Sequence, residues 1–190
     1  MRMTIIQIWL LFLSALTLLG QGIVLWDESV NGPISNTSGM PTGLSFLQLG
    51  TNDLYATVER TPYAGGWIVT NDFFVITVPA GLEVNKIDLS SDGPVWAWIG
   101  SDDYSQEYGS ADSASAGNLL LQWGISSLTT GTYGIYISND EPQPMPSSIN
   151  YRLSFIVQTV PEPSALSLLL AGAGCVVGWR WRKKLPFTSQ

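Results

Sequence analysis

The chain has no histidine among its 190 residues and only one cysteine. Without histidine the usual general base near neutral pH, the Ser-His-Asp triad and the commonest zinc ligand are all missing. Cys175 has no second cysteine for an intramolecular disulfide, and its place in a C-terminal apolar run makes it a small hydrophobe. Bases are scarce too. From residue 23 to 159 they are Arg60, Lys86 and Arg152, and three bases against fourteen acids leave a net charge of −11. A surface this acidic repels phosphate backbones, whose binding depends on Lys and Arg, so nucleic acid is excluded as a partner. It favours solubility and contact with divalent cations. No glycine-rich phosphate loop, internal repeat or Cys-His cluster occurs. The enzyme chemistry that remains is that of paired carboxylates. Half of these acids, however, sit beside Gly, Ser or Asn, where solvated turn carboxylates are expected.

Both ends of the chain read as targeting segments. At the N-terminus, Arg2 precedes an apolar stretch over 5–19, and Gly20-Gln21-Gly22 offers small residues to a signal peptidase. Cleavage is expected near Ile23, with residues 1–22 as signal peptide. At the other end, Val160, Pro161, Glu162, Pro163 and Ser164 lead into an uncharged apolar run over 165–179, closed by the bases Arg180, Arg182, Lys183 and Lys184. A membrane span needs about 20 apolar helical residues, so this run is short for a permanent anchor. Its basic flank suits a helix whose C-terminal end stays in the cytoplasm. The two prolines around Glu162 keep the preceding segment extended and open to a processing enzyme. This order of Pro-Glu-Pro, apolar helix and basic stop resembles the PEP-CTERM sorting signal of Gram-negative bacteria. The resemblance covers 160–190 and implies an exosortase that recognises and removes the tail. The protein would be held in the inner membrane transiently and then delivered to the cell surface or beyond it.

The remaining body, 23–159, is long enough for one domain with a core of its own. Apolar residues recur there with period two, broken about every ten residues by Gly, Pro, Asn, Asp and Ser. The pattern predicts strands over 23–27, 44–49, 54–59, 73–78, 83–89, 95–99, 119–125, 132–138 and 151–157. Turns are predicted at Gly50-Thr51-Asn52-Asp53, Pro79-Ala80-Gly81, Ser91-Asp92-Gly93-Pro94 and Thr129-Thr130-Gly131. The fold class is therefore all-β, an antiparallel β-sandwich of jelly-roll type, between an N-terminal signal helix and a C-terminal transmembrane sorting helix.

Three stretches also resemble the bacterial pre-peptidase C-terminal domain, a small β-sandwich that accompanies many secreted enzymes. They are residues 72–81, where Phe73-Phe74-Val75-Ile76-Thr77-Val78 runs into Pro79-Ala80-Gly81; residues 128–137, with Gly131 before Thr132-Tyr133-Gly134-Ile135; and residues 151–157. That family's middle strand usually alternates acidic with aliphatic residues. Here Val95-Trp96-Ala97-Trp98-Ile99 stands in its place, so a ligand role of that strand does not carry over. The opening Trp26-Asp27-Glu28-Ser29, followed by Gly32-Pro33-Ile34-Ser35-Asn36, is similar to the start of many exported PEP-CTERM proteins.

Two places in the body are candidate sites. Trp96 and Trp98 project from one face of one strand. Filling of the sandwich core is the leading account of them, and a platform for sugar rings is the alternative. Asp102, Asp103, Glu107 and Asp112 lie among small polar residues over 101–117, which reads as a solvated, mobile loop; the alternative is a calcium loop, though without EF-hand spacing. The leading functional reading is a non-enzymatic exported surface or matrix component associated with extracellular polysaccharide. A carbohydrate- or calcium-binding module is the alternative, and a carboxylate hydrolase would need two acids converging in one cleft.

Overall fold

The computed structural model describes residues 22–64, 66–139 and 147–160. The signal peptide expected over 1–22 lies outside them but for Gly22, and the sorting helix and basic stop lie outside them altogether. Among the described residues no helix is long and apolar enough to cross a membrane.

Nine strands make one mixed, curled sheet. In chain order the elements are β1 (Ile23–Asp27), α1 (Glu28–Asn31), β2 (Thr42–Gly43), β3 (Gly50–Tyr63), β4 (Gly66–Val69), β5 (Asn71–Val78), β6 (Leu82–Ser101), β7 (Glu107–Asn118), α2 (Leu119–Gln122), β8 (Gly131–Ser138) and β9 (Ser148–Thr159). The strand order is β1-β3-β9-β6-β8-β5-β2, with β4 on β3 and β7 on β6. The curl comes from β6. Its first half pairs with β9, from Leu82↔Thr159 to Ser91↔Tyr151. Its last six residues pair with β8, from Trp96↔Ser138 to Ser101↔Tyr133. Between the two, the β6–β7 register breaks from Ser90 to Val95. Such an irregularity increases local twist and bends the ribbon, so β6 turns a corner and carries the chain from one arm of the sheet to the other.

The core fills the inside of that curl. Phe74, Ile76 and Val78 of β5 and Ile135 and Ile137 of β8 face Leu54, Ala56 and Val58 of β3 and Leu153, Phe155 and Val157 of β9. Alternate residues of each strand point inward, as a half-buried strand requires. Complete burial of each large aliphatic or Phe side chain contributes about 1.5–3 kcal/mol.

Several expectations are corrected. The sheet is not purely antiparallel: β1 runs parallel to β3, and β2 parallel to β5. A parallel pair needs a long crossover, and the chain between β1 and β3 supplies one. The strand expected over 44–49 is irregular, although Leu44 and Leu47 donate backbone hydrogen bonds to Val75 and Thr77 of β5. The turn expected at Gly50-Thr51-Asn52-Asp53 is the start of β3. The turn falls earlier, where the buried Asn52 side chain accepts from Gln48 N at 2.8 Å and donates to Gln48 O at 2.7 Å. Ser91-Asp92-Gly93-Pro94 does not end a strand but forms the bend inside β6. Residues 119–125 begin as the helix α2, because Asn118 caps its first turn and a helical turn buries Leu119, Leu120 and Trp123 while leaving Leu121 74% exposed. Residues 101–117 are a short turn followed by β7, not a mobile loop. Its Gly, Ser and Ala residues carry little strand propensity, which hid it. The short β4 was not anticipated either.

Candidate functional site

Trp96 and Trp98 do lie on one face of β6, but that face is the outer one. Val95, Ala97 and Ile99 take the inward positions and are fully buried in the core. The tryptophans join an aromatic cluster on the outside of the β6–β8–β5 arm. Register builds it directly: Phe73 of β5 is opposite Tyr136 of β8, and Tyr136 is opposite Trp98 of β6. Ring centroids are 4.6 Å apart for Phe73 and Tyr136, and 5.1 Å for Trp96 and Tyr136, which meet at 81°. These are favourable aromatic arrangements, tilted and edge-to-face.

The fifth ring comes from the turn between β6 and β7. Tyr104 adopts a left-handed backbone with φ of 58°, folds back over the sheet and stacks on Trp98 at 5.5 Å and 20°. Its hydroxyl donates to the carbonyl oxygens of Phe74 at 2.8 Å and Ile135 at 3.1 Å, and burial pushes its pKa up. Asp103 sets this turn. Its carboxylate accepts from Ser101 Oγ at 2.6 Å, Ser105 Oγ at 2.7 Å and Ser105 N at 3.1 Å. Those bonds, the Ser101 one foremost, lower its pKa to about 2. Space for the rings depends on the cross-strand pair Gly100 and Gly134. A Cβ on Gly134 would sit 2.6 Å from Ser101 O and 3.0 Å from the Tyr104 ring, and one on Gly100 would overlap the Trp98 ring.

The result is an open cleft of about 420 Å³ walled by Phe73, Trp96, Trp98, Tyr104 and Tyr136, with Ser38, Ser105 and Glu107 at its margin. Trp98 lies deepest at 9% exposure, and the other four rings are half-buried. Trp98 thus belongs to this outer cluster and not to the core inside the curl, which corrects the core-filling account of the pair. Of the other body tryptophans, Trp123 is in the core and donates to Ala97 O at 3.1 Å, while Trp67 on β4 is exposed beneath the Arg60 guanidinium. Phe73, Tyr104 and Tyr136 were missed as site residues. The signal for the outer face was present in the aliphatic set Val95, Ala97 and Ile99, which claims the core side of the strand.

The four acids of the possible calcium loop are dispersed. Asp102 and Asp103 are in the turn, Glu107 opens β7, and Asp112 lies further along it. Among the described residues no group of three or more Asp or Glu is placed to hold a metal ion.

A second cleft of about 540 Å³ is bordered by Glu28, Glu59 and Asp72. Sequence reasoning did not single these acids out. Glu28 spans a gap in the backbone, its two oxygens accepting from Ile34 N at 2.8 Å and Thr57 N at 2.7 Å. Asp72, 3% exposed, accepts from the Tyr151 hydroxyl at 2.6 Å, which ties β5 to β9 across the core. Burial pushes the Asp72 carboxyl up to about 7; the Tyr151 bond opposes that rise and the nearby Glu28 charge adds to it.

Residues 159–184 match the PEP-CTERM protein-sorting motif. The chain thus carries an export signal of the exosortase type, with passage through the membrane, a transient anchor there and an exosortase as its processing partner. No curated protein matches the chain, so the likeness of its body to the pre-peptidase C-terminal domain has no relative behind it.

Proposed function

We propose that this protein is a non-enzymatic component of the cell surface or extracellular matrix, left there after the tail is processed and associated with exopolysaccharide. The observation that carries the reading is the sorting motif at 159–184, which marks a small β-rich body for export through the membrane. In this reading the curled sheet is a sandwich of jelly-roll type serving as a scaffold. The polar groups best placed for chemistry support it: both Glu28 oxygens hold backbone N–H groups, and Asp72 is closed off by Tyr151. The test is fractionation of the tagged full chain in an exosortase-bearing host. The processed form is expected with surface material and polysaccharide, and deletion of the exosortase should leave the unprocessed form in the inner membrane. Recovery of the processed chain as a freely soluble periplasmic protein would overturn the proposal.

A second reading, a carbohydrate-binding module, is favoured by the cleft of five aromatic rings on the outer face of the sheet. Its volume falls within the range of about 300–1,000 Å³ common to small-molecule sites. A rise in melting temperature with the host's polysaccharide, and none with calcium, would support this reading, since a ligand of the native state stabilises it.

A further inference from the structure

Resting on the carbohydrate-binding reading, we propose that the aromatic cleft takes uncharged pyranose residues of a neutral glycan and discriminates against uronic-acid or sulfated chains. Three observations lead there.

The walls are rings, and rings suit one side of a sugar. An aromatic face carries negative quadrupole charge and attracts the weakly positive C–H groups that line one face of a pyranose. Trp96 and Tyr136 meet nearly at right angles, at 81°, which offers a corner of two aromatic walls instead of a flat sheet. A cyclic ligand with an apolar face and a polar rim fits that corner better than a linear acyl chain, which would leave the polar margin unused.

The margin supplies the matching polarity. Ser105 and Glu107 border the rings from the β6–β7 side, and Ser38 borders them from the segment before β2. A carboxylate accepts hydrogen bonds from two neighbouring sugar hydroxyls, and such charge-assisted bonds are the stronger kind. The Asp103 turn holds Ser105 and Tyr104 in place before any ligand arrives, which lowers the ordering cost of binding.

The charge of the site sets its selectivity. None of the body's three bases lines the cleft: Lys86 pairs with Asp88, Arg152 pairs with Asp53, and Arg60 lies over Trp67. The acidic residue at the margin is Glu107, and the adjoining turn adds Asp102 and Asp103. An anionic sugar entering here meets like charge and finds, among the described residues, no guanidinium or ammonium lining the cleft to receive its carboxylate. Repulsion of the wrong ligand is an effective route to specificity.

Titration calorimetry of the full chain against neutral gluco- and galacto-oligosaccharides, and against oligouronates of equal length, tests the proposal. Neutral ligands are expected to bind, with oligouronates weaker by about ten-fold or more at low salt. Trp96→Ala should weaken the neutral ligands by about ten-fold. Glu107→Gln, which preserves shape, should narrow the gap between the two series. If both series bind equally and Glu107→Gln moves neither, the selectivity proposal falls while the carbohydrate-binding reading stands. If neither series binds, both fall together.

Discussion

Two clefts of this body use their side chains in opposite ways. In the acidic cleft two of the three acids are committed to the fold: Glu28 satisfies two backbone N–H groups, and Asp72 receives the Tyr151 hydroxyl from the opposite arm of the sheet. In the aromatic cleft the large side chains stand on the outer face, away from the core cluster, and are held by one another and by one turn. Ionisable groups alone would have pointed to the acidic cleft as the working site. The bonding of Glu28 and Asp72 points to a structural part there, and of these two clefts the one left free to act is the aromatic one.

The largest test of that contrast is the pH dependence of Asp72. The folded state holds its proton up to about pH 7, whereas the unfolded chain releases it near 3.8, the ordinary value of a free aspartate. Between those limits the folded state binds more protons, so stability falls as pH rises, and the full penalty applies above about 7. At 1.36 kcal/mol for each pKa step the loss is on the order of 4 kcal/mol. Asp72→Asn keeps an oxygen to accept from Tyr151 and removes the charge. Chemical denaturation from pH 4 to pH 8 should lose its downward slope in this variant. A slope unchanged from wild type would show that Asp72 ionises freely and that the acidic cleft is not closed.

Glu28→Ala comes next. It leaves the N–H groups of Ile34 and Thr57 without their acceptor, at about 1–3 kcal/mol for each donor that stays buried. A total near 3 kcal/mol is expected as a drop in melting temperature. The same change removes a charge that raises the Asp72 carboxyl, so the pH window of the previous experiment should shift downward. A variant as stable as wild type would free Glu28 for another role and weaken the contrast between the clefts.

Much of the fold was legible in the sequence because burial on one side of a strand writes a period of two. The alternation over Phe73 to Val78 and over Tyr151 to Val157 located β5 and β9, and Ile23–Asp27 was found to the residue. Illegible parts are those where long-range pairing overrides local preference. β7 is built mostly of Gly, Ser, Ala and Asp and is a strand only because β6 lies beside it. A Gly-Pro pair normally ends a strand, yet in β6 it sits at the bend between two partners. The aromatic site was half legible. Trp96 and Trp98 were seen to share a face, but which face depended on partners far along the chain. Tyr104 reaches the site only through the turn that Asp103 sets.

Gly134→Ala probes how the aromatic cleft is built. A methyl 2.6 Å from Ser101 O and 3.0 Å from the Tyr104 ring forces backbone or ring to move. Overpacking of this kind costs about 1–3 kcal/mol. Tryptophan fluorescence should change with it, because Tyr104 is stacked on Trp98. Unchanged melting and emission would mean that the turn is not seated on the sheet.

Trp96→Ala should have the smallest effect on stability and thereby sharpens the comparison most. Truncating a tryptophan in a core costs about 3–5 kcal/mol. Trp96 is half-buried on the outer face, and its edge-to-face contact with Tyr136 is worth about 0.5–1.5 kcal/mol. A loss near 1 kcal/mol in denaturant titration is therefore expected, against the larger loss for Glu28→Ala. A cost of about 3 kcal/mol or more would make Trp96 a structural member like the residues of the acidic cleft. A small cost would leave a large aromatic side chain that the fold scarcely needs, placed where a ligand can use it.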